Sequence, residues 1–438
     1  MDSVEMARSL MGSSLAFHII FATLGVGIPL MIVIVEIMYQ VRKDRDYAIM
    51  AKRLTKGFGI ILGVAIPSGT IVGVLLALLW PGFMEIVGQV IALPFQVEIW
   101  AFFLEAVFMS IYVFAADRLS PTMRIVSVIS VAIGATASAV LITDAHAWMN
   151  TPQGFRIEEG QVVDVDPWAA VFNPSLWTTS LHVVSSAFMT GAFAIVSIAA
   201  FQLLKNRGDE KTKAYHQKGL MLGLMVGAIM SLFTAINGHE TAQMLHEYQP
   251  EKLAAAEGLF ETTDYAPLAI GGIVDEETGS VKYGLEIPWL LSFLADNRFD
   301  TVVKGLNEFP RDEWPPLYIH LLFNLMVGIG TILIVLSFAG LFYRYIRKRQ
   351  IPAWLLRILT TTGILSMIGI ETGWIFSCTG RQPWTIYHIQ RTEDAAVQSE
   401  SLGTLFLLFI SLYAFLLLLT IFIMLFYFRR HPVRRELS

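Results

Sequence analysis

Cysteine is almost absent from this 438-residue chain, which contains only Cys378. A lone cysteine cannot form an internal disulfide, and a chain without a Cys-x-x-Cys pair cannot hold zinc or an iron–sulfur cluster through its thiolates. Any metal must therefore be held mainly by histidine, methionine or carboxylate groups.

Charged residues are also scarce, at 15% of the chain against 55% apolar residues, and the mean hydropathy is +0.59. This composition excludes a soluble enzyme and favours a membrane protein. The formal net charge is −5 and no basic tract is present, so we expect no nucleic-acid partner. The N-terminus lacks both a basic region and a small-residue cleavage site, so we expect the first helix to be retained rather than removed as a signal peptide.

Apolar runs, in contrast, are long and numerous. A bilayer core takes about 20 apolar residues per helix, and runs of about that length occur nine times in the sequence. We therefore predict an all-α integral membrane protein with nine transmembrane helices. The predicted spans are 14–40, 57–80, 95–116, 124–145, 178–204, 218–237, 316–343, 353–377 and 402–428.

The distribution of basic residues predicts the orientation of these spans, because lysine and arginine concentrate in short cytoplasmic loops. With the N-terminus outside, the inner segments carry 22 of the 31 lysines and arginines. The inner segments are 41–56, 117–124, 205–218, 344–357 and the C-terminal tail. We therefore predict an outside N-terminus and a cytoplasmic C-terminus.

One long connection, 237–315, separates the sixth and seventh spans and is rich in acidic residues. It is too long for a simple connector, and its Trp289, Phe293 and proline-rich end favour a partly folded outer cap. We expect a single membrane domain made of helices one to six (1–236) and seven to nine (316–438), with this loop between them.

Ionisable groups at membrane depth are costly and therefore mark candidate sites. His18 and His182 lie near the outer ends of spans one and five. Each is expected to be either a metal or haem ligand or a group that forms an interhelical hydrogen bond. Glu98 and Glu105 are seven residues apart on one face of span three. They cannot both ionise cheaply there, so one is expected to exchange protons or simply to bond to a neighbouring helix. Met326 in span seven, considered by itself, is expected only to pack against neighbouring side chains.

Two further segments contain candidate residues. Residues 373–384 end span eight and contain Trp374 and Arg381, and an arginine between tryptophans is typical of an interfacial anchor. Residues 249–257 place Lys252 and Glu257 five apart, which by itself is typical of an exposed helix.

These two segments carry a resemblance to a known family. Residues 380–384 (GRQPW) resemble the signature of subunit I of cytochrome bd quinol oxidases, and residues 252–257 (KLAAAE) resemble its quinol-loop motif. The resemblance runs almost end to end and includes 102–105, 117–119 and 148–150. The connection lacks a long insertion, as in the short-loop branch of the family.

The resemblance implies three haems. His182 and Met326 match the axial ligands of a low-spin haem b, a ligand pair suited to electron transfer. His18 matches a ligand within the high-spin pair, a haem b and a haem d, at which oxygen is reduced. Glu98 and Glu105 match acids near that pair that deliver protons.

Other residues match the family's quinol site and haem surroundings. Lys252 and Glu257 match residues that bind quinol and accept its protons at the outer surface. Trp374 and Arg381 match residues packed around the haems, where an arginine offsets propionate charge.

The sequence departs from the family at two positions. Cys378 stands three residues before Arg381, where the family usually has a glutamate that ligates a high-spin haem. Asn324 stands two residues before Met326, where arginine is common. Cys378 is therefore a thiolate ligand, a small buried apolar residue, or part of a site that is five-coordinate through water or lacks its normal haem, which puts haem d in question.

The implied activity is quinol oxidation outside coupled to oxygen reduction to water, with a proton gradient formed without pumping. The implied partners are a homologous subunit II, a small single-helix subunit, quinol, oxygen and lipid, in the cytoplasmic membrane of a bacterium or archaeon. Two alternatives stay open. One is a degenerate or haem-b-only paralogue, suggested by Cys378 and Asn324. The other is an ion or solute transporter, for which 66–69 (IPSG) suggests a broken helix.

Overall fold

The computed structural model describes residues 3–115, 118–205, 209–399 and 401–437. Asp117, in one of the family segments quoted above, lies outside these residues. The helices in chain order are α1 (Ser3–Arg42), α2 (Arg45–Leu79), α3 (Pro81–Val90), α4 (Ala92–Ala115), α5 (Pro121–Asn150), α6 (Pro167–Val171), α7 (Leu176–Lys205), α8 (Glu210–Tyr248), α9 (Pro250–Glu257), α10 (Leu290–Asp296), α11 (Ile319–Leu341), α12 (Ala353–Leu359), α13 (Thr362–Thr379), α14 (Thr392–Ala395), α15 (Leu402–Arg430) and α16 (Val433–Leu437).

The prediction of nine spans is confirmed for the described residues, in which nine helical segments are long and apolar enough to cross a membrane. Six of them are single helices: α1, α2, α4, α5, α7 and α8. The seventh is α11 continued by a π-helical turn, the eighth is α12 with α13, and the ninth is α15 with α16.

Local signals in the sequence set several of these helix starts. The Asp44 side chain accepts the Asp46 backbone N–H before α2, and the Ser120 hydroxyl accepts the Met123 N–H before α5. Pro121 then occupies the first helical position, where a missing N–H costs nothing.

Helix α1 lies at the centre of the bundle. It packs against α2, α5, α7 and α15, while α13 packs against both α7 and α11. Helix α15 is peripheral, since its buried residues are Leu402, Tyr413 and Thr420.

The crossing of α1 and α7 is close enough to require glycine. A Cβ added to Gly27 would lie 2.3 Å from the Ala187 carbonyl oxygen, and one added to Gly191 would lie 2.5 Å from the Gly27 carbonyl carbon. Small residues let transmembrane backbones approach in this way, so these two glycines fix the contact between the two helices.

Two expectations about helix boundaries were wrong. Helix α2 runs unbroken through Pro67, so residues 66–69 do not form the broken helix that the transporter hypothesis suggests. Helix α8 continues to Tyr248, so it extends beyond the predicted span 218–237, and the first part of the predicted connection 237–315 is helical. Hydropathy missed this extension because residues 238–248 are polar, although they are compatible with a helix.

The long connection is folded, as its aromatic content predicts. It contains α9, α10 and two antiparallel ribbons, and a small apolar core joins its Leu253, Leu291 and Leu306 to Ile319 and Phe376 of the bundle. The strands in chain order are β1 (Arg156–Glu158), β2 (Gln161–Val163), β3 (Leu268–Ile270), β4 (Ile273–Asp275), β5 (Ser280–Lys282), β6 (Leu285–Ile287), β7 (Trp384–Ile386) and β8 (Gln390–Arg391). The pairs are β1–β2, β3–β6, β4–β5 and β7–β8.

Candidate active site

Lys252 is buried, contrary to the expectation of an ordinary exposed helix. Every residue of α9 from Glu251 to Glu257 is buried. The Lys252 ammonium donates to the Ser377 carbonyl oxygen at 3.0 Å and lies 5.2 Å from the Phe376 ring centroid. Burial, followed by the positive charge of Arg381, lowers the pKa of Lys252 to about 7. The lysine can therefore gain or lose a proton near neutral pH.

Glu257 ends the same helix and is also buried, with 4% of its surface exposed. Gly258 follows at φ +66°, a left-handed conformation that favours glycine and stops the helix here. Among the described residues no hydrogen-bond donor reaches Glu257 Oε2. Burial raises the pKa of Glu257 to about 8, so this carboxyl also exchanges protons near neutrality.

Glu251 joins α9 to the turn after β7, and sequence reasoning missed this network. Its carboxylate accepts hydrogen bonds from the Tyr387 hydroxyl and from His388 Nε2, the latter at 3.2 Å. Burial alone would raise the pKa of Glu251, but the bonds from His388 and Tyr387 hold it below its ordinary value. A carboxylate oxygen of Glu313 lies within 4.8 Å of the ligand atoms of Glu251 and His388.

Arg381 is buried rather than placed at an interface, since 5% of it is exposed. Its Nη1 donates to Asn150 Oδ1 at 3.1 Å, which ties the end of α13 to the end of α5. Its Nε is buried without a partner, and no described carboxylate forms an ion pair with it. Burial lowers the pKa of Arg381 to about 10, so it remains a cation at neutral pH.

Trp374 packs against His146 of α5, a residue that sequence reasoning also missed. The two ring centroids are 5.3 Å apart, and His146 Nε2 lies 2.8 Å from Ser377 Oγ. Cys378 is the next residue and is partly buried with a free thiol. The available signal was the ionisable pair Asp144 and His146 in span four, directly before 148–150.

His18 is held between α1 and α2. Its Nδ1 lies 3.0 Å from Ser68 Oγ, and a Cβ on Gly69 would approach its Cε1 to 3.0 Å. The hydrogen bond fixes the ring and leaves Nε2 as the nitrogen available to a metal.

His182 and Met326 occupy different helices, α7 and α11. His182 Nδ1 is buried and finds no hydrogen-bond partner in the described part of the chain. Met326 Sδ lies over Gly373 of α13, where an added Cβ would come within 2.9 Å. His182 lies close to Gly238 of α8, where an added Cβ would come within 3.6 Å of its Cε1.

Glu98 and Glu105 both face α5. Ser138 donates to Glu98 Oε1 at 2.5 Å, and Glu105, 6% exposed, packs against Gly134. A third carboxyl, Glu371 on α13, has a buried Oε1 without a partner in the described chain, and sequence reasoning did not single it out. Its signal was an acid within span eight, seven residues before Cys378.

Comparisons with known proteins identify the family of this chain. The family model for cytochrome bd terminal oxidase subunit I matches residues 6–432. A Bacillus subtilis (strain 168) protein named "Putative cytochrome bd menaquinol oxidase subunit I" is 61% identical over 100% of this chain and 99% of its own length. Subunit 1 of a cytochrome bd ubiquinol oxidase from the same organism is 30% identical, covering 92% of this chain and 88% of that protein.

A solved structure gives the same result. The bd oxidase from Geobacillus thermodenitrificans superposes with a TM-score of 0.93 at 42% identity, covering 98% of this chain and 99% of that one. The chain therefore belongs to the cytochrome bd terminal oxidase subunit I family, whose members are multi-pass proteins of the respiratory membrane.

Proposed function

We propose that this chain oxidises quinol at α9 and supports the reduction of oxygen to water within the helical bundle. The observation that carries the proposal is the pair of buried proton-exchanging groups on α9, Lys252 and Glu257. Oxidation of a quinol releases two protons, and acceptors work best when their pKa values lie near the operating pH. Values of about 7 and about 8 meet this condition.

The residues present fit haem as the redox group. His182 offers a buried ring nitrogen, Nδ1, that makes no hydrogen bond of normal geometry within the described residues, and Met326 offers a thioether. His plus Met is the donor pair of electron-transferring haems. We propose that these two residues hold a low-spin haem b and that His18 holds one haem of a high-spin pair, a haem b and a haem d. The bound haems would supply the one-electron steps and the oxygen reduction.

The protein's own groups position and move protons around those haems. Arg381, a buried cation without a carboxylate partner among the described residues, is suited to a haem propionate. Trp374, which packs against His146, is suited to lining the same haem surroundings. Glu98 and Glu105, held against α5, are suited to carrying protons into the apolar interior.

The α9 end of the bundle faces the outside in this proposal, as the basic loops at the opposite end predict. Quinol protons then leave outside while the protons consumed in forming water enter from the cytoplasm, so a gradient forms without a pumping step. Residues 237–315 act as the outer quinol-binding segment between 1–236 and 316–438. Subunit II and a small single-helix subunit are the proposed protein partners, with lipid around the bundle.

A second candidate, a haem-b-only variant, is favoured by one observation. Cys378, not a carboxylate, is the side chain beside Lys252 and Arg381. A thiol at this place changes the ligand available to a high-spin haem. The haem content is therefore the property in which this chain would differ from a three-haem oxidase.

The first experiment is a reduced-minus-oxidised and CO-difference spectrum of the purified complex, with pyridine haemochrome quantitation and quinol-driven oxygen uptake. A low-spin b signal with a red-shifted chlorin band supports the three-haem oxidase. Haem b without that band supports the variant. A colourless protein overturns both.

A further inference from the structure

His320 is a buried histidine that the proposed function does not use. It lies in the first turn of α11, where 1% of its surface is exposed. Its Nδ1 lies 2.7 Å from the Ala256 carbonyl oxygen on α9, and its Nε2 lies 2.9 Å from the Gly271 carbonyl oxygen between β3 and β4. One imidazole therefore bridges two parts of the long connection.

The chemistry of these two contacts fixes the number of protons on the ring. A backbone carbonyl oxygen only accepts, so each contact needs an N–H on His320. A neutral imidazole carries one N–H, and its other nitrogen would point a lone pair at an oxygen. An imidazolium carries two and satisfies both carbonyls.

Asn324, one turn further along α11, does not offer an alternative acceptor. Its Oδ1 accepts the Gly271 N–H at 2.7 Å, which fixes the orientation of its amide. Its Nδ2 donates to the His320 carbonyl oxygen and lies 3.4 and 3.3 Å from the two ring nitrogens. A nitrogen so nearly equidistant from both lies over the ring face, not along either N–H direction.

We propose that His320 is a doubly protonated positioning residue that clamps α9 to the loop at Gly271. The Ala256 carbonyl precedes Glu257, so the clamp holds the helix end that carries one of the two proton acceptors. The assignment of two ring protons rests on the two carbonyl contacts, whereas the effect on quinol rests on the proposed function.

Among the described residues, the hydrogen-bond partners of His320 are backbone carbonyls and Asn324, and none of them is charged. Gly258 and Asn324, its other close neighbours, are uncharged. At this end of the elements packed around α11, the titratable residues are Glu251, Lys252 and Glu257 on α9, Asp275 with Lys282 on β4–β5, His239, Glu240, His246, Glu247 and Tyr248 on α8, and Glu371 and Cys378 on α13.

The direct test is nitrogen-15 NMR of the whole complex, labelled at histidine and held in nanodiscs at pH 7.5. The spectrum of His320→Gln identifies the His320 signals by their loss. We expect two protonated ring nitrogens, and one protonated with one bare nitrogen would overturn the proposal. If that variant does not assemble, coupling of wild-type histidine nitrogens to carbon-13 carbonyls of alanine and glycine identifies the same ring without a substitution.

The positioning role has its own test. His320→Gln keeps one donor, so the KM for a soluble quinol analogue is expected to rise about tenfold with kcat little changed, as for loss of one charge-assisted hydrogen bond. His239→Gln is the matched control, since it removes a surface contact to Asn297 from the same connection and leaves KM within about twofold.

The outcomes of the two tests separate the claims. An imidazolium with an unchanged KM overturns the positioning role, whereas an imidazolium in a protein that oxidises no quinol overturns the proposed function and leaves the assignment of His320 standing.

Discussion

The Lys252 side chain reaches from α9 to the last turn of α13, where its ammonium donates to the Ser377 carbonyl oxygen at 3.0 Å. A helix C-terminus carries partial negative charge from its unpaired carbonyls, so it stabilises a cation there without a carboxylate partner. The contact places the lysine of the KLAAAE segment beside Cys378 and Arg381. The two segments that carry the family resemblance are therefore one structural unit.

Lys252→Met tests this unit, because methionine keeps the volume and loses the ammonium. We expect the KM for quinol to rise about tenfold or more, while the spectrum of the low-spin haem stays unchanged. Steady-state oxygen uptake with a soluble quinol analogue measures the first and a reduced-minus-oxidised spectrum the second. Lys282→Met, which removes an exposed partner of Asp275, is the control, and an equal effect in both variants would contradict a specific role.

The pH profile of quinol oxidation should report Glu257. The carboxyl is protonated below its pKa of about 8 and accepts a proton only above it. We therefore expect kcat/KM to rise with pH through about 8. Glu257→Gln should oxidise quinol more slowly, and its kcat/KM should no longer rise near pH 8. A change in kcat/KM near pH 7, from Lys252, should remain. Glu261→Gln, at an exposed position, should keep the wild-type profile. A profile of Glu257→Gln that still rises through 8 would assign the limb to another group.

The nine spans could be predicted from sequence because a segment in lipid must satisfy its own backbone hydrogen bonds, which a helix does, and long apolar runs mark such helices. The folded outer segment could not be predicted in detail, because the burial of Lys252 depends on contacts with Phe376 and Ser377, more than 100 residues away. Periodicity alone indicated an exposed helix there.

Some site residues could be predicted from the sequence and others could not. The resemblance singled out His18, whose ring bonds to Ser68. It did not indicate His146, His320 or the Glu251–His388 pair, because each depends on a partner from a distant part of the chain.

Gly373→Ala tests the contact between α13 and Met326. An added methyl would lie 2.9 Å from Met326 Sδ, so the thioether must move. Overpacking of this kind costs about 1–3 kcal/mol. We expect the α-band and midpoint potential of the low-spin haem to shift, since the proposed ligand is displaced. Gly328→Ala on α11 is the matched control, because nothing lies within 4 Å of its added Cβ. Unchanged spectra in Gly373→Ala would argue against Met326 as a ligand.

Glu105→Gln tests proton delivery with little change of shape, since the buried side chain packs against Gly134. An amide cannot carry the proton, so oxygen uptake should fall about 100-fold or more with the low-spin haem spectrum retained. Glu105→Ala should abolish uptake in the same way. Glu85→Gln, at an exposed position, should keep wild-type uptake, and full activity in either Glu105 variant would remove Glu105 from the proton path.

His388→Gln tests the network on the outer side of α9 through stability. The hydrogen bond to Glu251 raises the pKa of His388 above its ordinary 6.5, so the folded protein binds that proton more tightly. Its contribution is complete below about pH 6.5 and is lost as pH rises through the folded-state value. Because the side chain is half exposed, screening limits the gain to under about 1 kcal/mol.

The variant should therefore melt about 2 °C lower than wild type at pH 6 and at nearly the same temperature at pH 9, as measured by thermal unfolding of the detergent-solubilised complex. His431→Gln, which removes an exposed contact to the Tyr427 carbonyl at the other end of the bundle, should show no such pH-dependent difference. An equal loss at both pH values for His388→Gln would mean that the ring stabilises α9 by packing on Tyr387, whose ring centroid is 4.0 Å away, and not by its charge.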